Sequence, residues 1–319
     1  MQHFDVITVG ESTFDIFLTA NDQNKHFRLD PKTKELCVKF GDKAVIDQSH
    51  FAVGGNATNV AVGLRRMGFS VSVSSEIGDD DFSKKILDVI DHEGISKFLL
   101  KQTKDSVSSF SVILNYKNDR TIFVEDFKRE HNFSFDDVLS NWVYLTSLGE
   151  EWEGAYQKTL EHVLKNNLKL AFNPGQNQLD KGVAYLSEIF KNTNILFLNK
   201  EESESLLQIN AQNKDIEEIL LGLLELGPKT VVITDGVNGS FAMDFNKKIY
   251  HQEIFKTPII ERTGAGDAYA SGFLSAILLG KNINDAMKFG AENASSVISK
   301  IGAQAGLLTK DEMLKKLEL

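Results

Sequence analysis

A glycine-rich loop between two apolar segments constrains this chain more than any other feature. The stretch from Thr257 to Gly280, TPIIERTGAGDAYASGFLSAILLG, reads as a strand end, a glycine loop and a helix with one carboxylate at the junction. Gly264, Ala265 and Gly266 leave the backbone uncrowded, so successive N–H groups can point outward at the first helical turn. Such a turn attracts anions, because its unpaired amides and the positive end of the helix dipole both favour phosphate.

Asp267 follows within or just before that turn, beside the place where a phosphoryl group would bind. An acceptor hydroxyl held there would have a proton acceptor on one side and a nucleotide's terminal phosphate on the other. A plainer interpretation stays open, because Asp is common in first helical turns and the small residues that follow allow close helix packing. Evidence from the other loops of the chain is needed to choose between these two interpretations.

Composition excludes several classes of protein. A net charge of −10 argues against a nucleic-acid partner, which would need a cationic surface. The single cysteine, Cys37, permits no intrachain disulfide and fits a reducing compartment. The amino terminus MQHFDVITVG has no basic region before an apolar run, and no apolar segment approaches membrane-spanning length. We therefore expect a cytoplasmic protein without a nucleic-acid or membrane partner.

Strand-like and helical segments alternate over most of the 319 residues. Short links between such units predict an α/β fold with a mainly parallel sheet covered by helices on both faces. The predicted strands are 4–9, 71–75, 142–146, 170–172, 195–198 and 230–234, and the predicted helices lie near 80–93, 151–165, 285–300 and 309–317. Ligands bind α/β sheets at the carboxyl ends of the strands. The loops expected at that rim are 10–15, 54–59, 173–175, 199–202 and 264–267.

Two segments interrupt this alternation and predict a separate small sheet. Residues 17–51 are charged and rich in turns around short alternating runs such as 36–40, and residues 106–124 read as a hairpin with its turn at Lys117, Asn118 and Asp119. We expect four or five strands that form a lid (17–51 and 105–127) over a main domain (1–16, 52–104 and 128–319). An exposed sheet with free edges also predicts a homodimer through the lid.

The segment GGNATNVAVGLRRMG, which starts at Gly54, opens a helix with two glycines. Gly54 and Gly55 would let the backbone approach a ligand whose hydroxyl groups contact Asn59. The alternative is that Asn56 or Thr58 only caps the helix.

Two later loops also have structural and functional interpretations. Asn199 and Glu202 lie three residues apart at a helix start, which a capping pair explains adequately. In T-D-G-V-N-G, which begins at Thr234, Gly236 and Gly239 form a tight turn that a simple hairpin would also need.

Taken in order, these motifs resemble the ribokinase family, also called PfkB-type carbohydrate kinases. The motifs are GGNATN, N-x-x-E, T-x-G-x-x-G and T-G-A-G-D, and their combination is far more specific than each alone. The resemblance spans nearly the whole chain. It implies a three-layer α/β/α, Rossmann-like fold of the ribokinase type, and ATP-dependent phosphorylation of a hydroxymethyl group on a sugar or nucleoside with Mg²⁺.

The resemblance also implies a role for each motif residue. Asp267 would be the catalytic base, and the amides of Gly264, Ala265 and Gly266 would form the anion hole. The pair that would organise Mg²⁺ and the phosphates through water is Asn199 and Glu202. The residues that would line the nucleotide site are Thr234, Gly236 and Gly239, with Asn293 beside the adenine. The residues that would hold the hydroxyls of the acceptor are Asp15, Gly54, Gly55 and Asn59.

One departure concerns a monovalent cation. Members of the family often carry Asp and Thr where this chain has Glu261 and Arg262. Because Glu261 is longer and Arg262 brings its own positive charge, we assign no monovalent cation site, and we expect Arg262 to be a solvated surface residue.

Three other functions are weighed against a sugar kinase. A nucleoside kinase would need an aromatic wall for the base, which Phe110, Phe123 and Phe127 could form, although packing of the hairpin explains them more simply. A ligand-binding regulator without turnover would have no need for Asp267. A dinucleotide-dependent oxidoreductase is disfavoured because no G-x-G-x-x-G follows the first strand.

Overall fold

The computed structural model describes residues 1–117, 119–125, 129–209 and 215–318. The strands are β1 (Gln2–Val9), β2 (Thr13–Thr19), β3 (Phe27–Leu29), β4 (Leu36–Val38), β5 (Gln48–Gly54), β6 (Val71–Ser74), β7 (Glu76–Ile77), β8 (Lys101–Gln102), β9 (Phe110–Tyr116), β10 (Asp119–Glu125), β11 (Val138–Thr146), β12 (Lys169–Asn173), β13 (Ile195–Asn199), β14 (Thr230–Thr234), β15 (Ser240–Asp244) and β16 (Ile249–Gln252). The helices are α1 (Asn56–Arg66), α2 (Asp81–His92), α3 (Glu153–Asn166), α4 (Gln176–Leu179), α5 (Val183–Asn192), α6 (Lys200–Leu206), α7 (Ile216–Glu225), α8 (Ala265–Leu278), α9 (Ile283–Ile298) and α10 (Lys310–Lys316).

The central sheet has eight strands in the order β16-β15-β14-β13-β12-β11-β1-β6. The six strands from β14 to β6 pair in parallel, and β15 and β16 extend one edge in antiparallel fashion. The prediction of a mainly parallel sheet is therefore confirmed. An antiparallel hairpin at the edge of a parallel sheet is common, because antiparallel neighbours are joined by a short turn and need no crossover helix.

Helices cover both faces of this sheet. Consecutive residues of a strand point to opposite faces, and Val6 and Trp142 join a core cluster with residues of α1, α8 and α9. Their neighbours Ile7 and Val143 join a second cluster with residues of α3, α5 and α7. The two clusters lie on opposite sides of the sheet, which confirms the three-layer α/β/α prediction.

A separate four-stranded sheet has the order β10-β9-β2-β5, with β2 and β9 parallel in its middle. Its strand count matches the prediction, but two details differ. Asp15 lies within β2 and not in a loop, and residues 36–38 belong to a small β3–β4 hairpin outside this sheet. Asn118 and Phe127 lie outside the described residues. The proposed division into main domain and lid stays a prediction.

The predicted strand end before the glycine loop is wrong. Residues 253–264 form no strand. Pro258 has no N–H to donate, and the side chains of Ile259 and Ile260 are 52% and 59% exposed. The backbone of this segment instead joins the end of α9, where the N–H of Ile260 donates to the Ile298 carbonyl at 2.8 Å. Two adjacent β-branched residues therefore give a false strand signal.

Small residues allow α8 to pack closely against α1 and α9. A Cβ atom at Gly63 of α1 would lie 2.4 Å from the Ser271 hydroxyl of α8, and one at Gly272 of α8 would lie 2.6 Å from the Phe289 carbonyl of α9. These close approaches bring the first turn of α8 beside the first turn of α1. In the described part of the chain, no helix has the length and apolar character needed to cross a bilayer.

Candidate active site

The first turn of α8 presents free backbone donors. Gly264 is its N-cap with φ 78°, a left-handed conformation that favours glycine. Within the described residues, the N–H groups of Gly264 and Gly266 have no protein acceptor, whereas that of Ala265 donates to the Arg262 carbonyl at 3.3 Å. Two of the three predicted anion-binding amides are therefore available in this conformation, and the third makes a long bond within the loop.

Asp267 is the third residue of α8, and its side chain is only 7% exposed. Its Oδ2 accepts a hydrogen bond of 2.9 Å from the Asn59 amide of α1. Burial raises the pKa of the Asp267 carboxyl to about 7; the Asn59 hydrogen bond opposes this shift, and the charges of Asp15 and Glu202 add to it. Near neutral pH this carboxyl is therefore poised to accept or release a proton.

Asp15 supplies a second buried carboxylate, from β2. The side chain is 5% exposed, and burial raises its pKa to about 6, with a hydrogen bond of 3.2 Å from the Thr13 hydroxyl opposing the shift and the Glu261 charge adding to it. A Cβ atom at Gly54 would lie 2.0 Å from the Asp15 Oδ2. Glycine at position 54 is therefore what leaves room for this carboxylate.

The first turn of α1 has no side-chain cap. Its N-cap is Gly55 with φ 88°, where a Cβ atom would meet the Glu11 carbonyl at 2.5 Å. Asn56 donates to the Ser147 hydroxyl at 2.9 Å, and the Thr58 and Ser12 hydroxyls share a bond of 2.6 Å. The alternative that Asn56 or Thr58 caps the helix is wrong, because both side chains bind neighbouring loops.

Asn199 and Glu202 form the capping pair that their spacing predicts. The Glu202 N–H donates to Asn199 Oδ1 at 2.7 Å, and the Asn199 N–H donates to Glu202 Oε2 at 2.8 Å. Burial raises the pKa of Glu202, against the backbone hydrogen bond from Asn199. The structural interpretation therefore holds for both residues, and any further role must use the remaining carboxylate oxygen.

The donor set around Glu202 suits a magnesium ion that keeps most of its water. Among the described residues no cluster of three or more His, Cys, Asp or Glu could enclose a metal ion. Mg²⁺ is usually bound by one or two carboxylates together with phosphate oxygens and water. Asp15, Glu202 and Asp267 all have a raised pKa, so the region would gain from a cation.

A cavity of about 410 Å³ opens beside the first turn of α8. Thr234, Gly236 and Gly239, the residues predicted to line a nucleotide site, line this cavity. Their turn joins the antiparallel strands β14 and β15, so the hairpin interpretation is correct. Ala265 and Gly266 line the same cavity, which connects it to the free amides of α8. The remaining wall is mostly apolar and includes Val237, Ile254, Phe255, Ile259, Ala291, Ala294 and Ile298.

Asn293 does not line this cavity, contrary to the prediction. The side chain is 1% exposed, its amide donates to the Ala268 carbonyl at 2.8 Å, and its Oδ1 accepts from the Leu308 N–H at 3.0 Å. Helical spacing explains the difference, because Ala291, Ala294, Ser295 and Ile298 occupy the face of α9 toward the cavity. Asn293 faces α8 and fastens the chain that follows α9.

Sequence reasoning did not assign Tyr269 to the cavity wall, and it did not predict where Glu261 and Arg262 lie relative to the cavity. Tyr269, two positions beyond the last residue of the glycine-loop motif, lines the cavity and donates to the Ser240 hydroxyl at 2.8 Å. Glu261 is buried and accepts from the Thr263 N–H and hydroxyl at 2.9 and 2.7 Å. Arg262 is exposed, as expected, but it also borders the cavity. Only the i,i+3 spacing from Gly266 could have indicated Tyr269.

The chain matches a family described as pfkB family carbohydrate kinase over residues 24–310. It is 26% identical over 285 residues to a 5-dehydro-2-deoxygluconokinase of Clostridium perfringens, covering 83% of this chain and 84% of that protein. It is 29% identical over 275 residues to a nucleoside kinase of Methanocaldococcus jannaschii, covering 83% and 85%.

Solved structures share the fold. The crystal structure of the Methanocaldococcus jannaschii nucleoside kinase, an archaeal member of the ribokinase family, superposes with a TM-score of 0.77 at 23% identity and covers 98% of both chains. Arabidopsis thaliana ribokinase in complex with ribose and ATP superposes with a TM-score of 0.79 at 18% identity, covering 100% of both chains. At these identities the structural likeness establishes the fold.

Proposed function

The chain belongs to the pfkB family of carbohydrate kinases, an ATP-dependent family of sugar and nucleoside kinases, and on that premise we propose that it transfers the γ-phosphate of ATP to a hydroxymethyl group of a small sugar. One observation carries the proposal. The buried carboxylate of Asp267 lies one residue beyond Gly266, which lines the 410 Å³ cavity and whose N–H has no acceptor in the described part of the chain. A base, an anion-binding turn and a nucleotide-sized cavity therefore meet at one helix start.

The nucleotide occupies the cavity beside α8. Its base would lie against the apolar wall near Ile254 and Phe255, and its phosphates would extend past Gly239 toward the first turn of α8. The N–H groups of Gly264 and Gly266, together with the helix dipole, stabilise the negative charge of the transferring phosphoryl group. Phosphoryl transfer depends mainly on such alignment and charge stabilisation.

Asp267 acts on the acceptor hydroxyl as a general base. The acceptor hydroxyl lies between this carboxylate and the γ-phosphate, gives its proton to Asp267, and attacks the γ-phosphorus in line. The bond from that phosphorus to the bridging oxygen breaks, and ADP leaves with this oxygen. The pKa of about 7 matches this task, because an ionised fraction exists at neutral pH and the acquired proton is still held well enough to favour its transfer.

Mg²⁺ bound with ATP would neutralise phosphate charge. Glu202 would hold the ion through water with its second carboxylate oxygen, while the capping bonds to Asn199 fix the orientation of the side chain. The role of Asn199 is then to position Glu202. The four-stranded sheet would exclude water that could otherwise accept the phosphoryl group.

The acceptor site lies where β2, β5 and α1 meet. Asp15 is the buried acceptor for sugar hydroxyls, and the missing side chain at Gly54 leaves room for its carboxylate. Gly55 lets α1 begin against the backbone of residues 11–13. Asn59 contributes through Asp267, since its amide already binds that carboxylate. Buried charged acceptors of this kind favour a polyhydroxylated substrate, because each hydroxyl can donate to them.

Aromatic residues give little support to a nucleoside acceptor. Phe110 packs against Phe82 of α2 with ring centroids 5.5 Å apart, and Phe82 stacks on Phe14 at 4.7 Å. Phe123 is 57% exposed. Packing thus accounts for Phe110, and Phe123 is open to solvent. The relationship to a nucleoside kinase keeps nucleosides as the second candidate.

A coupled assay for ADP release, run with ATP over a panel of sugars, acidic sugars and nucleosides, tests the proposal. We expect turnover with a sugar that carries a hydroxymethyl group and none with adenosine or inosine. Phosphorylation of a nucleoside but of no sugar would favour the second candidate. Binding of a sugar in calorimetry without any ADP release over the whole panel would instead indicate a regulator that keeps the fold.

We expect the Asp15→Asn variant to lose about 10- to 100-fold in kcat/KM for the acceptor, because hydrogen bonds to a charged acceptor are worth about 1.5–3 kcal/mol. The KM for ATP should change less than about twofold, since Asp15 does not line the nucleotide cavity. Initial rates at varied concentrations of the acceptor and of ATP measure kcat/KM for the acceptor and the KM for ATP. Asp22→Asn, at an exposed position after β2, is the control. An unchanged kcat/KM for the acceptor would show that Asp15 does not bind it.

An apolar row crosses one face of the four-stranded sheet. Ile16 pairs in register with Phe51 on one side and with Val112 on the other, and Val112 pairs with Phe123. Residues paired in this way point to the same face. Phe51 and Phe123 are 59% and 57% exposed at the two ends of the row. This row is the surface through which we propose that two copies of the chain associate.

Sedimentation should therefore show a species of twice 35.6 kDa for the wild type. Phe123→Glu should shift it toward the monomer, because a charge would be buried at the interface. Phe40→Glu is the control, since Phe40 is fully exposed and lies outside the four-stranded sheet. A wild type that sediments only as the 35.6 kDa monomer would count against the dimer.

Composition limits the remaining partners. A net charge of −10 and a single cysteine fit a cytoplasmic enzyme that binds small molecules and no nucleic acid. Both oxygens of the buried Glu261 carboxylate already accept hydrogen bonds from Thr263, so no monovalent cation is assigned to this loop.

A further inference from the structure

Asn59 stands between two polar groups that together fix the direction of its amide. The side chain is 3% exposed. Its Nδ2 donates to Asp267 Oδ2 at 2.9 Å, and its Oδ1 accepts from Gln304 Nε2 at 2.9 Å. An asparagine amide can turn over and exchange its donor and acceptor ends, and its hydrogen-bond network decides between the two orientations. Gln304 is the neighbour that holds the oxygen end away from Asp267.

The chain segment that carries Gln304 is itself firmly held. Arg66, at the end of α1, donates to the Gln304 carbonyl at 2.8 Å and to the Leu307 carbonyl at 3.0 Å, and it forms a salt bridge of 2.6 Å with Glu93. The preceding residue, Ala303, packs against the first turn of α8. The loop is therefore anchored both to the helix of Asn59 and to the helix of Asp267.

We propose that Gln304 is a positioning residue, whose donated hydrogen bond keeps the N–H group of Asn59 directed at the Asp267 carboxylate. The mechanistic value of this contact rests on the proposed role of Asp267 as the base. When one Asp267 oxygen accepts a hydrogen bond at a fixed angle, the other oxygen stays directed at the acceptor hydroxyl. A reversed Asn59 amide would instead place its own oxygen against the Asp267 carboxylate.

Electrostatics makes the orientation matter. Asp267 faces the charges of Asp15 and Glu202, and both oppose its ionisation. The buried Tyr144, whose own pKa is raised, faces it with a neutral phenol. The Asn59 N–H is the hydrogen bond that favours the ionised form of Asp267. Loss of this donor would therefore raise the pKa of Asp267, and the base would remain protonated up to a higher pH.

The variant Gln304→Glu separates orientation from packing. Glutamate has nearly the same shape as glutamine, but an ionised carboxylate only accepts hydrogen bonds. Asn59 would turn its N–H toward the introduced carboxylate and its oxygen toward Asp267. We expect the carboxyl ¹³C titration of Asp267, assigned by comparison with Asp267→Asn, to move up by about one pH unit. The acid limb of the kcat/KM profile should move with it, and kcat should fall about tenfold.

A purely structural role predicts a different order of variants. Packing alone would make Gln304→Ala the worse variant, whereas the orientation role makes Gln304→Glu the more impaired of the two. The effect must exceed that of the charge that glutamate adds, which Gln304→Glu in an Asn59→Leu background measures by itself. Lys300→Ala is the matched control, because it removes a contact of 3.2 Å to the Ala305 carbonyl in the same loop. Thermal unfolding of each variant verifies that it folds.

Two measurements keep this inference separate from the proposed function. The carboxyl titration needs no substrate, so an inactive wild type would overturn the kinase proposal while the titration still tests Gln304. In an Asn59→Leu background, Gln304→Ala should add no further shift of the Asp267 titration, because the amide that it orients is gone. An Asp267 titration unchanged in Gln304→Glu would overturn the inference, and so would an additive shift in the double variant.

Discussion

Replacing Asp267 with asparagine is expected to lower kcat by about 10²- to 10⁴-fold, the usual contribution of a general base. The variant keeps the shape of the side chain and its place beside Asn59, but its amide cannot accept the proton of the substrate hydroxyl. ATP should bind with little change, because the cavity wall is formed by other residues. Steady-state assays at saturating substrate measure kcat, and calorimetry measures ATP binding.

A matched control lies at the same position of the next helix. Asp285 is the third residue of α9, as Asp267 is the third residue of α8, so Asp285→Asn removes the same charge from a first helical turn. Asp285 does not line the cavity, and its variant should keep the wild-type kcat. Full turnover of the Asp267 variant on its own substrate would show that another group is the base.

Local patterns in the sequence are sufficient to predict the frame of this molecule. Apolar strand segments that alternate with amphipathic helices indicate the parallel sheet, because the residue patterns of a strand and of a helix are both visible within a short stretch of sequence. The same holds for the start of α8 and for the Asn199–Glu202 pair, whose i,i+3 spacing is enough to bring both groups within hydrogen-bond distance. Features that depend on a few consecutive residues are the ones that sequence alone can supply.

Features that depend on contacts between distant segments could not be predicted. Gln304 meets Asn59 across 245 positions of the chain, and no local pattern marks either residue as a partner. The expected place of Asn293 at the cavity is wrong because the pattern reveals the helix but not the face that it turns toward α8. The sequence of Ile259 and Ile260 is typical of a strand, but β propensity reflects packing against neighbouring strands, and neither residue belongs to a strand.

The Gly264→Ala variant is expected to lose both stability and activity. Position 264 has φ 78°, and the new Cβ would lie 2.4 Å from the Ala303 Cβ and 2.7 Å from its Cα. Left-handed backbone costs a non-glycine residue about 1–2 kcal/mol, and forced overpacking adds about 1–3 kcal/mol. Relief of the clash would shift the amides of the first turn, and misplaced oxyanion donors typically reduce kcat by about 10²- to 10³-fold. Denaturant unfolding and steady-state rates measure the two effects.

Gly280→Ala is the control that measures backbone strain alone, without the clash with Ala303 and without an effect on the first turn of α8. Gly280 follows the other end of α8 with φ 75°, and a Cβ there would meet nothing within 4 Å. Its replacement should therefore cost only the strain of about 1–2 kcal/mol and leave kcat unchanged. The difference in unfolding free energy between the two variants measures the contact with Ala303, and the difference in kcat measures the alignment of the first turn. Reduced stability with full activity of the Gly264 variant would mean that this turn does not hold the phosphoryl group, because its amides would then tolerate displacement without effect on the reaction.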